Sequence, residues 1–146
     1  IVGGYQADID SSPIYSGINY DERGRGILAE RGQRVRITKD GKKEVESFGD
    51  AAELQKSIKK EDWNKYVVEA IGPRMRHTIN GKLMSVVIDR DAKAVKEGVL
   101  ALQVHAGPPM VVQFRNFSLE KVDAKAETEN RKSKKKGKEN AEAQAQ

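Results

Sequence analysis

The sequence predicts an all-β protein, a sandwich or barrel of short antiparallel strands with one short helix. Three observations carry this. Apolar and polar residues alternate with period two over several short stretches, Asp-Gly and Asn-Gly pairs or glycine-rich breaks separate those stretches, and a single segment has the cap and spacing of a helix.

Taken in order, "GGYQADID" sets Tyr5, Ala7 and Ile9 against Gln6, Asp8 and Asp10, a strand with one face rich in hydrogen-bonding groups. "SGINYDE" is a second strand running into the turn Arg23-Gly24-Arg25-Gly26. "GILAERG" and "QRVRITKDGKKEV" read as arms of further hairpins, with Asp40-Gly41 as a two-residue turn. In "GDAAELQKSIKK", Asp50 caps a helix, Glu53 stands three residues on as a capping box requires, and Ala51, Leu54 and Ile58 share a face. Trp63 follows and is expected to anchor the helix to the core. Strand returns in "WNKYVVEAIG" and "RMRHTINGKLMSVVID", where Asn80-Gly81 joins two arms because both residues tolerate positive φ. The last strands are predicted in "GVLALQVHAG" and "MVVQFRNFSLEKV", joined across Gly107-Pro108-Pro109.

Composition narrows the function. The 146 residues suit one domain. A net charge of +5 suggests nucleic acid until it is divided along the chain: residues 121–146 hold eight Lys/Arg and five Asp/Glu, which leaves 19 against 17 for residues 1–120. The body is nearly neutral, and no nucleic-acid partner is expected. The Lys/Glu-rich tail over 123–146 has no side chain from Ala124 onward that could build a core, and it is expected to be disordered. The chain has no cysteine, which excludes a disulfide scaffold and thiol chemistry. No stretch reads as a signal peptide or a membrane span.

Two motifs suggest chemistry that their context denies. The opening "IVGGY" matches the activated terminus of a chymotrypsin-like protease, but there is no Gly-Asp-Ser-Gly-Gly stretch, and His77 and His105 lack the partners of a catalytic triad. "GRGILA" at Gly24 to Ala29 fits a loose dinucleotide fingerprint, yet Arg31-Gly32 stops the segment where a long helix must begin, so no nucleotide cofactor is expected.

"GGYQADI", "SGINYDERGRGILAERG", "WNKYVVEAIGPRMRHTINGK" and above all "GVLALQVHAGPPMVVQFRNFSLEKV" resemble the 3-keto-disaccharide hydrolase domain family, formerly a domain of unknown function. The resemblance runs in order from Val2 to Val122. It implies a concanavalin-like, laminin-G-like jelly-roll sandwich over residues 1–122, acting on sugars whose C3 hydroxyl has been oxidised to a ketone. It also implies further strands ahead of the Gly-Tyr-Gln segment and an exported, periplasmic or secreted, location. Without those strands the chain is expected to be a partial, unstable sandwich.

A ketone at C3 acidifies the C2 hydrogen, so such a site needs a base, a proton donor for the departing C1 oxygen, and a group to hold the enolate oxygen. Imidazoles titrate near neutrality, which makes His105 the candidate base. Glu22 or Tyr20 is the candidate proton donor. Gln6, Gln103 and Arg23 are candidates to hold hydroxyls and the enolate oxygen, and Asp8, on the same polar face as Gln6, is a further candidate for substrate binding. His77 is a further candidate substrate-binding residue; it alternates with Arg76, so one of the two faces the sheet surface that His105 is expected to occupy. A divalent cation on Asp8, Glu22 or His105 is chemically suited to polarise the ketone, but no ligand spacing calls for it. The alternative is a non-catalytic carbohydrate-binding module in which Trp63 and Tyr66 stack on sugar rings.

Overall fold

The computed structural model describes residues 2–10, 12, 14–105 and 107–123. It resolves into two units, residues 1–97 and residues 98–146. The tail predicted over 123–146 lies, from residue 124 on, outside the described residues.

The first unit is an all-β sandwich of two sheets with one short helix. Its elements are β1 (Gly4–Ala7), β2 (Asn19–Glu22), β3 (Gly26–Ala29), β4 (Gln33–Ile37), β5 (Lys43–Ser47), α1 (Ala51–Gln55), β6 (Tyr66–Ile71), β7 (Arg74–Ile79) and β8 (Lys82–Asp89). Strands β1, β2 and β3 form a three-stranded antiparallel sheet, and the second sheet has the order β5-β4-β8-β7-β6. Leu28 and Ala29 from the first sheet pack with Val35, Ile37, Met75 and Val87 from the second, with Tyr5 against them. Each large apolar side chain buried this way stabilises the fold by about 1.5–3 kcal/mol.

Local chemistry explains the turns. At Asn80-Gly81 both residues have positive φ, 49° and 79°, so β7 and β8 join through a two-residue loop of the type that matches strand twist. The Asn80 carboxamide also donates to the Ser57 carbonyl and to Asn64 Oδ1, at 2.8 and 2.7 Å, which pins the chain after α1. Asp50 caps α1 as predicted, accepting from the Ala52 and Glu53 amides at 2.9 Å each. Glu53 pairs with Lys56 at 2.6 Å.

Four expectations are corrected. Strand β4 pairs with β8 in parallel, Val35 opposite Val87, so the second sheet is mixed. The reason is that β8 is central and buried on both faces, with Met84 through Val87 all interior, and its near-continuous apolar run reads as such a strand. The β4–β5 connection spans residues 38–42, because Thr38 closes it with bonds to the Lys42 and Gly41 backbone; Gly41 at φ 82° supplies the left-handed position. Trp63 is 39% exposed beyond α1 and does not fill the core. Finally, residues 98–123 contain no strand among the described residues, and every described residue there is exposed. Leu100, Leu102 and Val104 alternate as a strand would, but a strand is held by its ladder, and no ladder partner engages them among the described residues.

Candidate functional site

The β1–β2 register decides which predicted side chains meet. Tyr5 faces Asp21 and Ala7 faces Asn19 on the buried side of the sheet, while Gln6 stands opposite Tyr20 and Gly4 opposite Glu22 on the other. Three predicted residues, Gln6, Tyr20 and Glu22, therefore share one sheet face. Gln6 donates through Nε2 to the Asp8 carboxylate, which brings Asp8 to the same edge.

Arg23 begins the turn after β2 with φ 57°, a left-handed conformation for a non-glycine residue. Here a groove of about 450 Å³ opens, lined by Gly4, Glu22, Arg23, Lys93 and Val95 among others. Its size is within the range of small-molecule sites. Its charged rim carries both signs, a carboxylate from Glu22 and cations from Arg23 and Lys93, which suits a hydroxyl-rich ligand.

Beneath this turn lies a charged clasp that sequence reasoning missed. Arg25 binds Asp21 through Nε at 2.7 Å, Asp89 through Nη2 at 2.7 Å and Asp91 through Nη1 at 3.2 Å. The Tyr5 hydroxyl donates to Asp89 Oδ2 at 2.5 Å. Burial alone would pull the Arg25 guanidinium down, but hydrogen bonds to Asp89 and Asp21 outweigh it and hold the group above its usual range. Burial likewise pushes the Asp89 carboxyl up, and the bonds from Arg25 and Tyr5 reverse this, so its net direction is down. The Tyr5 hydroxyl is pushed up to about 12, first by burial and then by donating to Asp89. The i,i+4 spacing of Asp21 and Arg25 was the one sequence signal of this cluster; Asp89 and Asp91 lie 64 and 66 residues away from Arg25.

His77 sits in the interior at 2% exposure, in register with buried Met75 and Ile79 on β7. Its Nδ1 lies 2.9 Å from the Ile18 carbonyl, so Nδ1 carries the proton, and Nε2 faces the Asn19 carboxamide nitrogen at 3.4 Å. Tyr66 meets the ring edge-on with centroids 5.9 Å apart. Burial pulls the His77 imidazole down to about 4, with the Ile18 carbonyl opposing weakly. Such a group is neutral at ordinary pH and bridges β7 to the segment entering β2, which corrects its expected role in substrate binding: the ring is buried and both nitrogens face protein groups.

Gln103 and His105 belong to the second unit, where both side chains are exposed. A second groove of the first unit, about 460 Å³, is more apolar, with Ile14, Tyr15 and Ile27 on its walls. Its Arg31 is committed to backbone, donating to the Ile14 and Ser16 carbonyls at 2.9 and 2.8 Å. Among the described residues no three His, Asp or Glu side chains gather as metal ligands, and no helix is long and apolar enough to cross a membrane. Of the glycines of the loose fingerprint, Gly24 lies in the hairpin turn after β2 and Gly26 is the first residue of strand β3.

Searches of curated proteins and of solved structures found no match. The model of one family, described as the 3-keto-alpha-glucoside-1,2-lyase-like domain, matches residues 1–120. That span includes both strands flanking the groove, the Arg25 clasp and the exposed segment with His105, and it shows that this chain belongs to the 3-keto-alpha-glucoside-1,2-lyase-like domain family.

Proposed function

We propose that the chain cleaves the glycosidic bond of sugars oxidised to a ketone at C3, by removing the C2 proton and expelling the C1 oxygen. The observation that carries this reading is the family match over residues 1–120. The base takes the C2 proton, and the electron pair enters the C3 ketone as an enolate. The enolate then returns its pair to form the C1–C2 double bond as the C1–O bond breaks, and a donor protonates the leaving oxygen. Water adding across that double bond gives net hydrolysis, and release without it gives a lyase product.

In this proposal His105 is the base, Glu22 or Tyr20 the donor, and Gln6, Gln103 and Arg23 hold hydroxyls and the enolate oxygen. The shared face of Gln6, Tyr20 and Glu22 and the groove beside Arg23 support the donor and binding roles. His105 and Gln103 enter through the sequence resemblance. His77, buried and neutral, is given a structural part. A periplasmic or secreted location belongs to the same proposal.

The test is the rate of aglycone release from a 3-keto-glucoside carrying hydrogen or deuterium at C2, by wild type and by His105→Ala. Deuterium is expected to slow wild type, and His105→Ala to lose on the order of 10²–10⁴-fold. Cleavage at equal rates with both isotopes and both proteins overturns the proposal. A second reading, a binding module, is favoured by one observation, the partly exposed Trp63. Binding of the sugar through Trp63 with no turnover decides for it.

A further inference from the structure

The turn that carries Glu22 and Arg23 is held by a side chain as well as by its own backbone bond. The Gly24 amide donates to the Asp21 carbonyl at 3.1 Å and the Arg25 amide to Asp21 Oδ2 at 3.3 Å, so the Asp21 side chain is folded under the turn. It is folded so closely that a Cβ on Gly24 would stand 2.5 Å from Asp21 Oδ1, a distance no side chain accepts. Asp21 is in turn fixed by Arg25 Nε at 2.7 Å. The other two nitrogens of the same guanidinium reach Asp89, at the end of central strand β8, and Asp91 just beyond it. Asp89 has a side chain only 1% exposed and is further held by Tyr5 from β1. A continuous set of bonds thus runs from the centre of one sheet to the hairpin turn of the other.

We propose that Arg25 is a positioning residue: through Asp21 it sets the Asp21–Gly24 turn and so presents Glu22 and Arg23 to the groove. The inference rests on the sugar-cleaving reading for the statement that Glu22 and Arg23 face the substrate. The chemistry requires arginine. Three carboxylates approach from three directions, and only a planar fork with several fixed donors can bind all of them at once, whereas a lysine ammonium on a flexible stem cannot. Glu22, Arg23 and Lys93 make no ion pair among the described residues, which leaves their charged ends available to a ligand while Asp21 and Arg25 bind each other.

The test compares the full chain with Arg25→Lys and with the milder Asp91→Asn, which removes only the longest of the three ion pairs. The first readout is amide exchange at Gly24 and Arg25 against the β8 amides of Val86 and Val87. Arg25→Lys is expected to raise exchange at the turn roughly tenfold or more relative to β8, with Asp91→Asn moving it less in the same direction. The second readout is kcat and KM on a 3-keto-glucoside. With the turn loosened, kcat is expected to fall roughly tenfold or more while KM changes far less. Exchange unchanged at the turn in both variants, or raised equally on β8, overturns the proposal, as does an unchanged kcat with a loosened turn. Absence of turnover in wild type overturns the sugar-cleaving reading instead, and the exchange readout still decides whether Arg25 sets the turn.

Discussion

Strand β8 and the segment 98–105 carry similar letters and have opposite fates. In "KLMSVVID" the residues Met84 to Val87 are between 0% and 2% exposed, while in "GVLALQVH" Leu102 is 57% and Val104 89% exposed. Alternation and hydrophobicity give a segment the capacity to be a strand. What β8 has in addition is a partner on each side, β4 in parallel and β7 antiparallel, and an anchored end at Asp89. Burial follows from the partners, and sequence pattern alone does not supply them.

The largest expected effect breaks the anchor. Arg25→Gln leaves Asp21, Asp89 and Asp91 facing one another without their cation, and should cost about 3–5 kcal/mol in denaturant unfolding. Next, Met84→Ala empties a fully buried site on β8 and should cost about 2–5 kcal/mol. The matching change in the other region, Val104→Ala, should stay within about 0.5 kcal/mol. A large cost at Val104 in the same denaturation experiment would mean that this segment is packed in solution and would erase the contrast.

Acid sharpens the comparison within the first unit. His77 has its folded value depressed from 6.5 to about 4, so its contribution is fully present above about pH 6.5 and is lost as pH falls toward 4. The span corresponds to on the order of 3 kcal/mol. Asp89, held down mainly against its burial by Arg25, loses its contribution only below the ordinary carboxylate range. A pH series of denaturation midpoints should therefore fall between pH 6.5 and 4, and His77→Gln should flatten that slope.

Much of this was legible. The period-two pattern located β1 to β8, Asp50 announced the helix cap, and Asn80-Gly81 announced its hairpin. The same alternation put Gln6 and Asp8 on one face of the first predicted strand, while the pairing that sets Gln6 beside Tyr20 and Glu22 came only from the β1–β2 register. Alternation also held the clue that His77 shares its register with Met75 and Ile79 and so points inward. The rest was hidden for physical reasons. Parallel pairing of β4 with β8 depends on β8 taking the central place between β4 and β7, and no local signal encodes that. The Arg25 clasp joins residues far apart in sequence, each of which reads by itself as an ordinary surface charge. Trp63 follows a helix of only five residues, too short for its faces to fix where a neighbouring side chain goes.

The most direct test of the functional account gives the whole chain a 3-keto-glucoside and the same glucoside unoxidised, side by side, and follows release of the aglycone. The account predicts release from the keto-sugar alone, because only the ketone makes the C2 proton removable. Equal release from both sugars, or binding of the keto-sugar with release from neither, would contradict it.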